Sequence, residues 1–522
     1  MVTTNNWMPF LFVVLFLASC KDDKNTRESM SQKTNRAYYT EPYRPQFHFS
    51  PETMWMNDPN GMVYNKGVYH LFYQYHPKST VWGPMHWGHA TSNDLLHWEH
   101  KPIALYPDDH GFIFSGSAVL DKQNSSGFGT DGNPPLVAIF TYHNAKKQAS
   151  DSTGFETQGI AYSLDNGDSW TKYKDNPVID NENLTDFRDP KVFWYEPDQK
   201  WIMSLVAGDH AQFYGSKNLR DWGLLGEFGK DKGAHGGVWE CPDLIPFKIG
   251  GIEEEKWVLF ISINPGAPNG GSGTQYFIGD FDGKTFTTDQ TEDRWIDWGT
   301  DNYAGVTFSN TPDDETLFLG WMSNWQYANE TPTSTWRSAM TLPRKLALER
   351  VGEGYALFNY PIEKVDGLIS EGSTKDLNIA IGEEQSISVD SLMQSEVRFT
   401  TSSRDFQLKF GNGADEELVL TMKADDNEFT LDRSRSGKTD FQEDFGKTIQ
   451  QMPIPVLPDG QYEVRILVDR SSVEIFLNKG QYVMTAQVFP NEDYNALKIV
   501  NTSDAKALEF KKFGIGTVKG VW

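Results

Sequence analysis

The sequence predicts an all-β protein, a five-bladed β-propeller followed by a C-terminal β-sandwich, and three observations predict it. One unit of sequence recurs between residues 45 and 346. The apolar stretches inside it are short and bounded by turns, without helical periodicity. Beyond Leu346 the recurrence stops while strand-like segments continue.

The recurring unit is an apolar strand, a gap, a second strand, and a Ser/Asp turn closed by an aromatic residue. It runs from Val68 to Trp98, Leu136 to Trp170, Trp201 to Trp222 and Trp257 to Phe286, with a partial fifth copy over Thr316 to Met322. The closing aromatics stand 72, 52 and 64 residues apart, a spacing that suits four-stranded units stacked radially. Each unit has an opening motif: Trp55–Gly61, Phe114–Ser117, Phe187–Pro190, Trp239–Asp243 and Asp301–Gly305. A linker is expected over 347–366 and the sandwich over 367–522. There Tyr462–Val468 and Ser472–Leu477 read as strands, and Asn478-Lys479-Gly480 as a hairpin turn.

Lys+Arg 47 against Asp+Glu 72 leave a net charge of −25, which repels polyanions, so nucleic acid is not an expected partner. Aromatics at 14% belong to a folded chain, and such rings both fill β cores and stack on sugar faces. Two cysteines allow no disulfide framework.

The apolar run Trp7 to Ser19 is too short to span a bilayer and sits where a signal sequence belongs, so residues 1–19 are expected to be removed. Leu17-Ala18-Ser19-Cys20 resembles a bacterial lipobox, although Met1–Asn6 lacks the usual cation. The resemblance implies lipidation at Cys20, a polar tether over 20–44, and membrane attachment through the lipid alone. Lys21-Asp22-Asp23 resembles an acidic export tag, which implies the outer membrane and cell surface of a Gram-negative bacterium.

In a propeller the first strand of each blade lines the central channel, so the opening motifs should face one another. Asp58, Asp189 and Glu240, 131 and 51 residues apart, are thereby brought to one mouth. Three converging carboxylates cannot all ionise cheaply, and their repulsion should raise at least one pKa. One protonated and one charged carboxyl is what glycosidic cleavage requires. No residue cluster has metal-ligand spacing, Gly270–Gly273 reads as a blade loop, and no cofactor is expected.

At these residues the sequence resembles glycoside hydrolase family 32, the fructosidases that include invertases, inulinases and levanases. The resemblance rests on Trp-Met-Asn-Asp-Pro-Asn-Gly at 55–61, Tyr-His-Leu-Phe-Tyr-Gln-Tyr at 69–75, Trp-Gly-His at 87–89, Phe-Ser-Gly-Ser at 114–117, Arg-Asp-Pro at 188–190, Glu-Cys-Pro at 240–242 and Leu-Pro-Arg at 342–344. A weaker match surrounds Ser471–Phe476. It implies the same propeller and sandwich, with Asp58 as nucleophile, Glu240 as acid and base, and Asp189 stabilising the transition state. Arg188 is either a plain salt-bridge residue or tunes Asp189 and Glu240. Asn57, Gln74 and Ser115 are expected to hydrogen-bond the sugar, and Trp82, Phe114 and Trp321 to wall the pocket. Cys241 sits where it can modulate the acid, and His76 replaces the Asn more usual before that Pro.

The expected partner is a fructan polysaccharide or oligosaccharide. An enzyme on the cell exterior favours levan over inulin or sucrose, and endo cleavage over exo. The alternatives are an exo-acting inulinase or invertase type, an inverting arabinan-type hydrolase, and a non-catalytic glycan-binding lipoprotein.

Overall fold

Each recurring unit folds as the second, third and fourth strands of an antiparallel sheet, and the opening motif in front of it supplies the first. The computed structural model describes residues 39–522 except 131, 182, 251–253 and 371, so the expected leader and Cys20 lie outside the described residues. Blade one comprises Met54–Asn65, Val68–His76, His86–Ser92 and Trp98–Leu105. Blade two comprises Phe112–Leu120, Leu136–His143, Glu156–Ser163 and Thr171–Lys172, and blade three Phe187–Tyr195, Lys200–Ala207, Ala211–Ser216 and Gly223–Phe228. Blade four is Val238–Lys248, Glu255–Asn264, Gly273–Phe281 and Phe286–Thr287, with Arg294–Trp295 added beside its third strand.

The Ser/Asp turns recur for a geometric reason. The indole nitrogens of Trp98, Trp170 and Trp222 each donate to the carbonyl three residues earlier, at 2.9, 3.1 and 3.0 Å. That earlier residue is left-handed every time: Leu95 at φ 71°, Gly167 at 86°, Leu219 at 62°, and in the fourth blade Gly283 at 87°. The polar residue just before the bend, Asp94, Asn218 or Asp282, accepts the next backbone N–H groups and closes the turn.

Blade five departs from the expected boundaries. Its strands are Tyr303–Thr307, Leu317–Met322, Arg344–Val351 and Gly354–Pro361, so most of the stretch expected as a linker over 347–366 is its outer hairpin. The recurrence was hidden because a long segment, 323–343, separates its second and third strands. That segment closes the ring: Trp336 and Arg337 pair in parallel with Met54 and Trp55 of blade one. The expected tether also ends early, since Arg44 is buried and donates to Ser50, Pro51 and Glu52.

The sandwich stacks two six-stranded sheets. One runs Lys375–Ile379, Leu508–Thr517, Ser395–Thr401, Tyr462–Asp469, Ser472–Leu477 and Tyr482–Gln487. The other runs Glu384–Ser388, Ala496–Asn501, Phe406–Gly411, Glu417–Lys423, Glu428–Arg435 and Gln450–Pro453. Alternating inward residues such as Val464, Ile466 and Val468 fill one continuous core between them. The Asn478–Gly480 turn adopts left-handed φ at all three residues and presses on blade five. Only glycine fits at 480, because a Cβ there would lie 2.1 Å from the carbonyl oxygen of Asn359.

Propeller and sandwich belong to one unit, Pro42–Trp522, joined by buried charge. Arg344 bonds Asp297, Glu474 and Thr485 at 3.1, 2.9 and 2.7 Å, and Arg433 bonds Asp301 at 2.8 Å. The Leu-Pro-Arg motif and the Ser471–Phe476 segment therefore meet here: Leu342 N–H and Arg344 both bond Glu474.

Candidate active site

The inner strand of every blade is bulged where its chemistry lies. The ladder with the second strand breaks between Met56 and Pro59, Ile113 and Gly116, Arg188 and Lys191, Glu240 and Asp243, and Tyr303 and Val306. A bulge re-aims side chains out of the regular alternation. It leaves Asp189, Cys241 and Ala304 with φ of 65°, 47° and 53°. These backbones are turned so that polar groups face the channel mouth.

Below the mouth the channel is filled. Lys191 Nζ lies 3.1 Å from Asp243 and donates to the Thr307 carbonyl, and Ser117 donates to the Pro190 carbonyl at 3.0 Å. Above this floor is a pocket of about 280 Å³ that gathers Asp58, Asp189 and Glu240. Asn57, Gln74, Trp82, Phe114, Ser115 and Arg188 line it as well.

Trp321 does not. Every residue of its strand is buried, and its ring packs behind the wall against Trp55, Tyr303 and Trp325, at 6.1, 6.4 and 4.9 Å between centroids. Trp325, four residues on and past the strand end, is the ring that faces the pocket. The position of Trp325 in a loop after a strand was the available signal.

Two residues expected to bind sugar also bond one of the acids. Ser115 donates to Oδ2 of Asp58 at 2.6 Å, and Asn57 donates to Oδ1 at 2.9 Å while its own oxygen accepts from the Trp55 indole at 2.7 Å. Gln74 donates to Asn60 at 2.8 Å. His76 holds the Val81 carbonyl at 2.9 Å and so shapes the loop that carries Trp82, rather than lining the pocket.

Arg188 is more than a single salt bridge. Its Nη2 bonds Oε1 of Glu240 at 2.8 Å, and its Nη1 bonds Asp186 at 2.6 Å and both oxygens of Glu156 at 3.3 Å. The Tyr303 hydroxyl donates to the other oxygen of Glu240. Cys241 ties the remaining acids together: its N–H donates to Asp189 Oδ2 at 3.0 Å, and its sulfur lies 3.6 Å from Asp189 and 3.7 Å from Asp58.

Burial, ahead of mutual repulsion, raises the two aspartates. Asp58 is pushed up by desolvation and then by the charge of Glu240, against the hydrogen bonds from Ser115 and Asn57. Asp189 is pushed well above the carboxylate range, again by desolvation first. Arg188 opposes that rise, while Glu240 and Asp58 reinforce it. Burial and the three surrounding carboxylates likewise raise the Cys241 thiol, so it stays a thiol. The site thus holds carboxyls in unlike environments within a walled pocket, which is the equipment for acid-assisted displacement at an acetal carbon.

The residues that sequence reasoning missed here are Tyr303, Glu156, His143, Asp186, Gln148, Asn264 and Trp325. Tyr303 and Asp186 lay inside or beside opening motifs and were within reach of the blade argument. Glu156 and His143 sit on ordinary strand positions, with no motif around them.

The description "Glycosyl hydrolases family 32 N-terminal domain" matches residues 48–361, and "Glycosyl hydrolases family 32 C terminal" matches residues 364–515. The chain is 45% identical over 504 residues to a levanase of Bacillus subtilis, covering 93% of this chain and 72% of that protein. It is 40% identical over 504 residues to an extracellular exo-inulinase of Aspergillus niger, covering 90% and 93%. The crystal structure of the exo-inulinase from Aspergillus awamori superposes with a TM-score of 0.85 at 37% identity, over 93% of this chain and 100% of that one.

Proposed function

The chain belongs to glycoside hydrolase family 32 and is a glycoside hydrolase acting on fructosyl linkages; from that premise we propose that it removes terminal fructose from levan by a retaining mechanism. In this reading Asp58 attacks the anomeric carbon and forms a covalent fructosyl-enzyme. Glu240 gives its proton to the leaving oxygen and then takes one from the water that releases fructose. The hydrogen bonds from Ser115 and Asn57 favour the charged form of Asp58 that attack requires. The carboxyl of Asp189 bonds fructosyl hydroxyls more tightly as the ring flattens and becomes cationic, which favours the transition state over the ground state.

One observation carries the choice of a chain end over internal cleavage, the mode expected from a surface location. The exo-inulinases of the two Aspergillus species are alike over nine-tenths of this chain, and that likeness supports release of one terminal sugar unit at a time. Levan is favoured by the levanase relative and by the exported, lipid-anchored character that Leu17–Cys20 suggests.

Digestion of levan, inulin and sucrose, resolved by chain length, tests this reading. Free fructose from the first time point, fastest from levan, is expected. A ladder of oligosaccharides would instead establish the endo mode, and no release from any of the three would overturn the catalytic reading. Palmitate incorporation that disappears in Cys20→Ala is the result expected of the anchor, and its absence from the wild type would overturn it.

A further inference from the structure

Glu156 is a carboxylate that the proposed reaction does not use, and its side chain is 1% exposed beside the pocket. A charge so buried is expensive unless paired, and it has two partners: both its oxygens face Arg188 Nη1 at 3.3 Å, and His143 Nδ1 lies 3.1 Å away. His143 is fixed in turn. Its ring stacks on Phe114 at 4.2 Å, and its Nε2 bonds Gln148 of the one-turn helix Ala145–Gln148 at 3.1 Å.

Resting on the reading above, we propose that Glu156 is a positioning residue that orients the Arg188 guanidinium on Glu240, and that His143 ties this support to the Phe114 wall of the pocket. The guanidinium is a planar fork with fixed donor directions. With Nη1 engaged by Glu156 and Asp186, Nη2 at 2.8 Å and Nε at 3.3 Å are left pointing at Oε1 of Glu240. Glu156 also offsets the charge of Arg188. A carboxylate behind that cation weakens its field at the carboxyl it faces, so Glu156→Gln leaves Arg188 less compensated beside the reacting groups.

The other groups facing Glu240 are Tyr303, Cys241, Asp58 and Asp189, and Glu156 faces Arg188 and His143. None of these is altered by Glu156→Gln, so that substitution removes one charge and keeps the shape.

The test compares kcat/KM against pH for the wild type, Glu156→Gln and Glu156→Asp, on a short fructan oligosaccharide and on an aryl β-fructofuranoside whose leaving group needs no proton. Glu156→Gln should lose roughly tenfold on the oligosaccharide, well inside the ~10²–10⁴ a general acid supplies, and less than about threefold on the aryl substrate. Its basic limb should move to lower pH, and Glu156→Asp should restore much of both. Equal losses on the two substrates, or an unmoved basic limb, would overturn the proposal and leave Glu156 as a structural ion-pair member. If Glu156→Gln does not fold, His143→Asn must show the same substrate split in weaker form, and its absence would overturn the proposal as well. Wild type inactive on every β-fructoside would sink the parent reading instead.

Discussion

The hydroxyl of Ser115 in blade two lies 2.6 Å from Oδ2 of Asp58 in blade one, so a neighbouring blade favours the ionised form of the proposed nucleophile. Burial and the charge of Glu240 push the Asp58 carboxyl up, and this bond pushes it down. Ser115→Ala removes the downward contribution, so a larger fraction of Asp58 is protonated at any given mildly acidic pH. The expected result is an acidic limb of kcat/KM moved to higher pH and a rate loss of about tenfold at its foot, equivalent to ~1.4 kcal/mol. An acidic limb in its original place would show that the bond is irrelevant to catalysis.

Removing the two principal carboxyls should give unlike signatures. Asp58→Asn is expected to abolish turnover of every fructoside, by about 10³-fold or more, because no substrate escapes the need for a nucleophile. Glu240→Gln is expected to lose ~10²-fold or more on oligosaccharides and far less on aryl fructosides. Steady-state rates on the two substrate types decide it, and equal losses in Glu240→Gln would contradict its role as the acid.

Much of this was legible before any coordinates, for reasons that particular residues make plain. Gly167 and Gly283 mark a left-handed turn that Leu95 and Leu219 also adopt, so the closing-aromatic pattern reported real backbone geometry. Asp58, Asp189 and Glu240 were locatable because each lies within a recognisable strand opening. Trp321 was misplaced because a sequence shows that an aromatic residue is on a strand without showing which side of the sheet wall it fills. The outer hairpin Arg344–Pro361 was missed because 323–343 interrupts its blade. Glu156 and His143 were invisible because their partners are set by packing between blades two and three.

The two tryptophans of blade five should separate binding from stability. Trp325 lines the pocket, and Trp321 is buried behind it. Trp325→Ala is expected to raise KM severalfold with little change in Tm. Trp321→Ala should cost ~3–5 kcal/mol of stability through the cavity it leaves. Kinetics and thermal unfolding on the same two preparations check both, and the reverse assignment of effects would show that Trp321 is the sugar-facing ring.

Stability should also fall as pH rises through a window set by His48 at the junction of propeller and sandwich. Both its ring nitrogens face carboxylates, Asp469 at 2.8 Å and Glu474 at 3.0 Å, with all three side chains fully buried. Burial alone lowers the imidazole pKa, but the hydrogen bonds and charges of Asp469 and Glu474 outweigh it and raise the group to about 9. In the unfolded chain the pKa is ~6.5, so between these values the folded protein binds more protons than the unfolded one, and the slope of unfolding free energy with pH is negative. The contribution is fully present below pH ~6.5 and is lost as pH rises through about 9, on the order of 3 kcal/mol in all. Urea unfolding of the wild type between pH 6 and 10 should show this decline. His48→Gln should start lower at pH 6, because Asp469 and Glu474 lose their cation, and fall less steeply thereafter. A wild-type curve as flat as that of the variant across this range would show that His48 is neutral in the fold, leaving Arg344 as the counter-charge of Glu474.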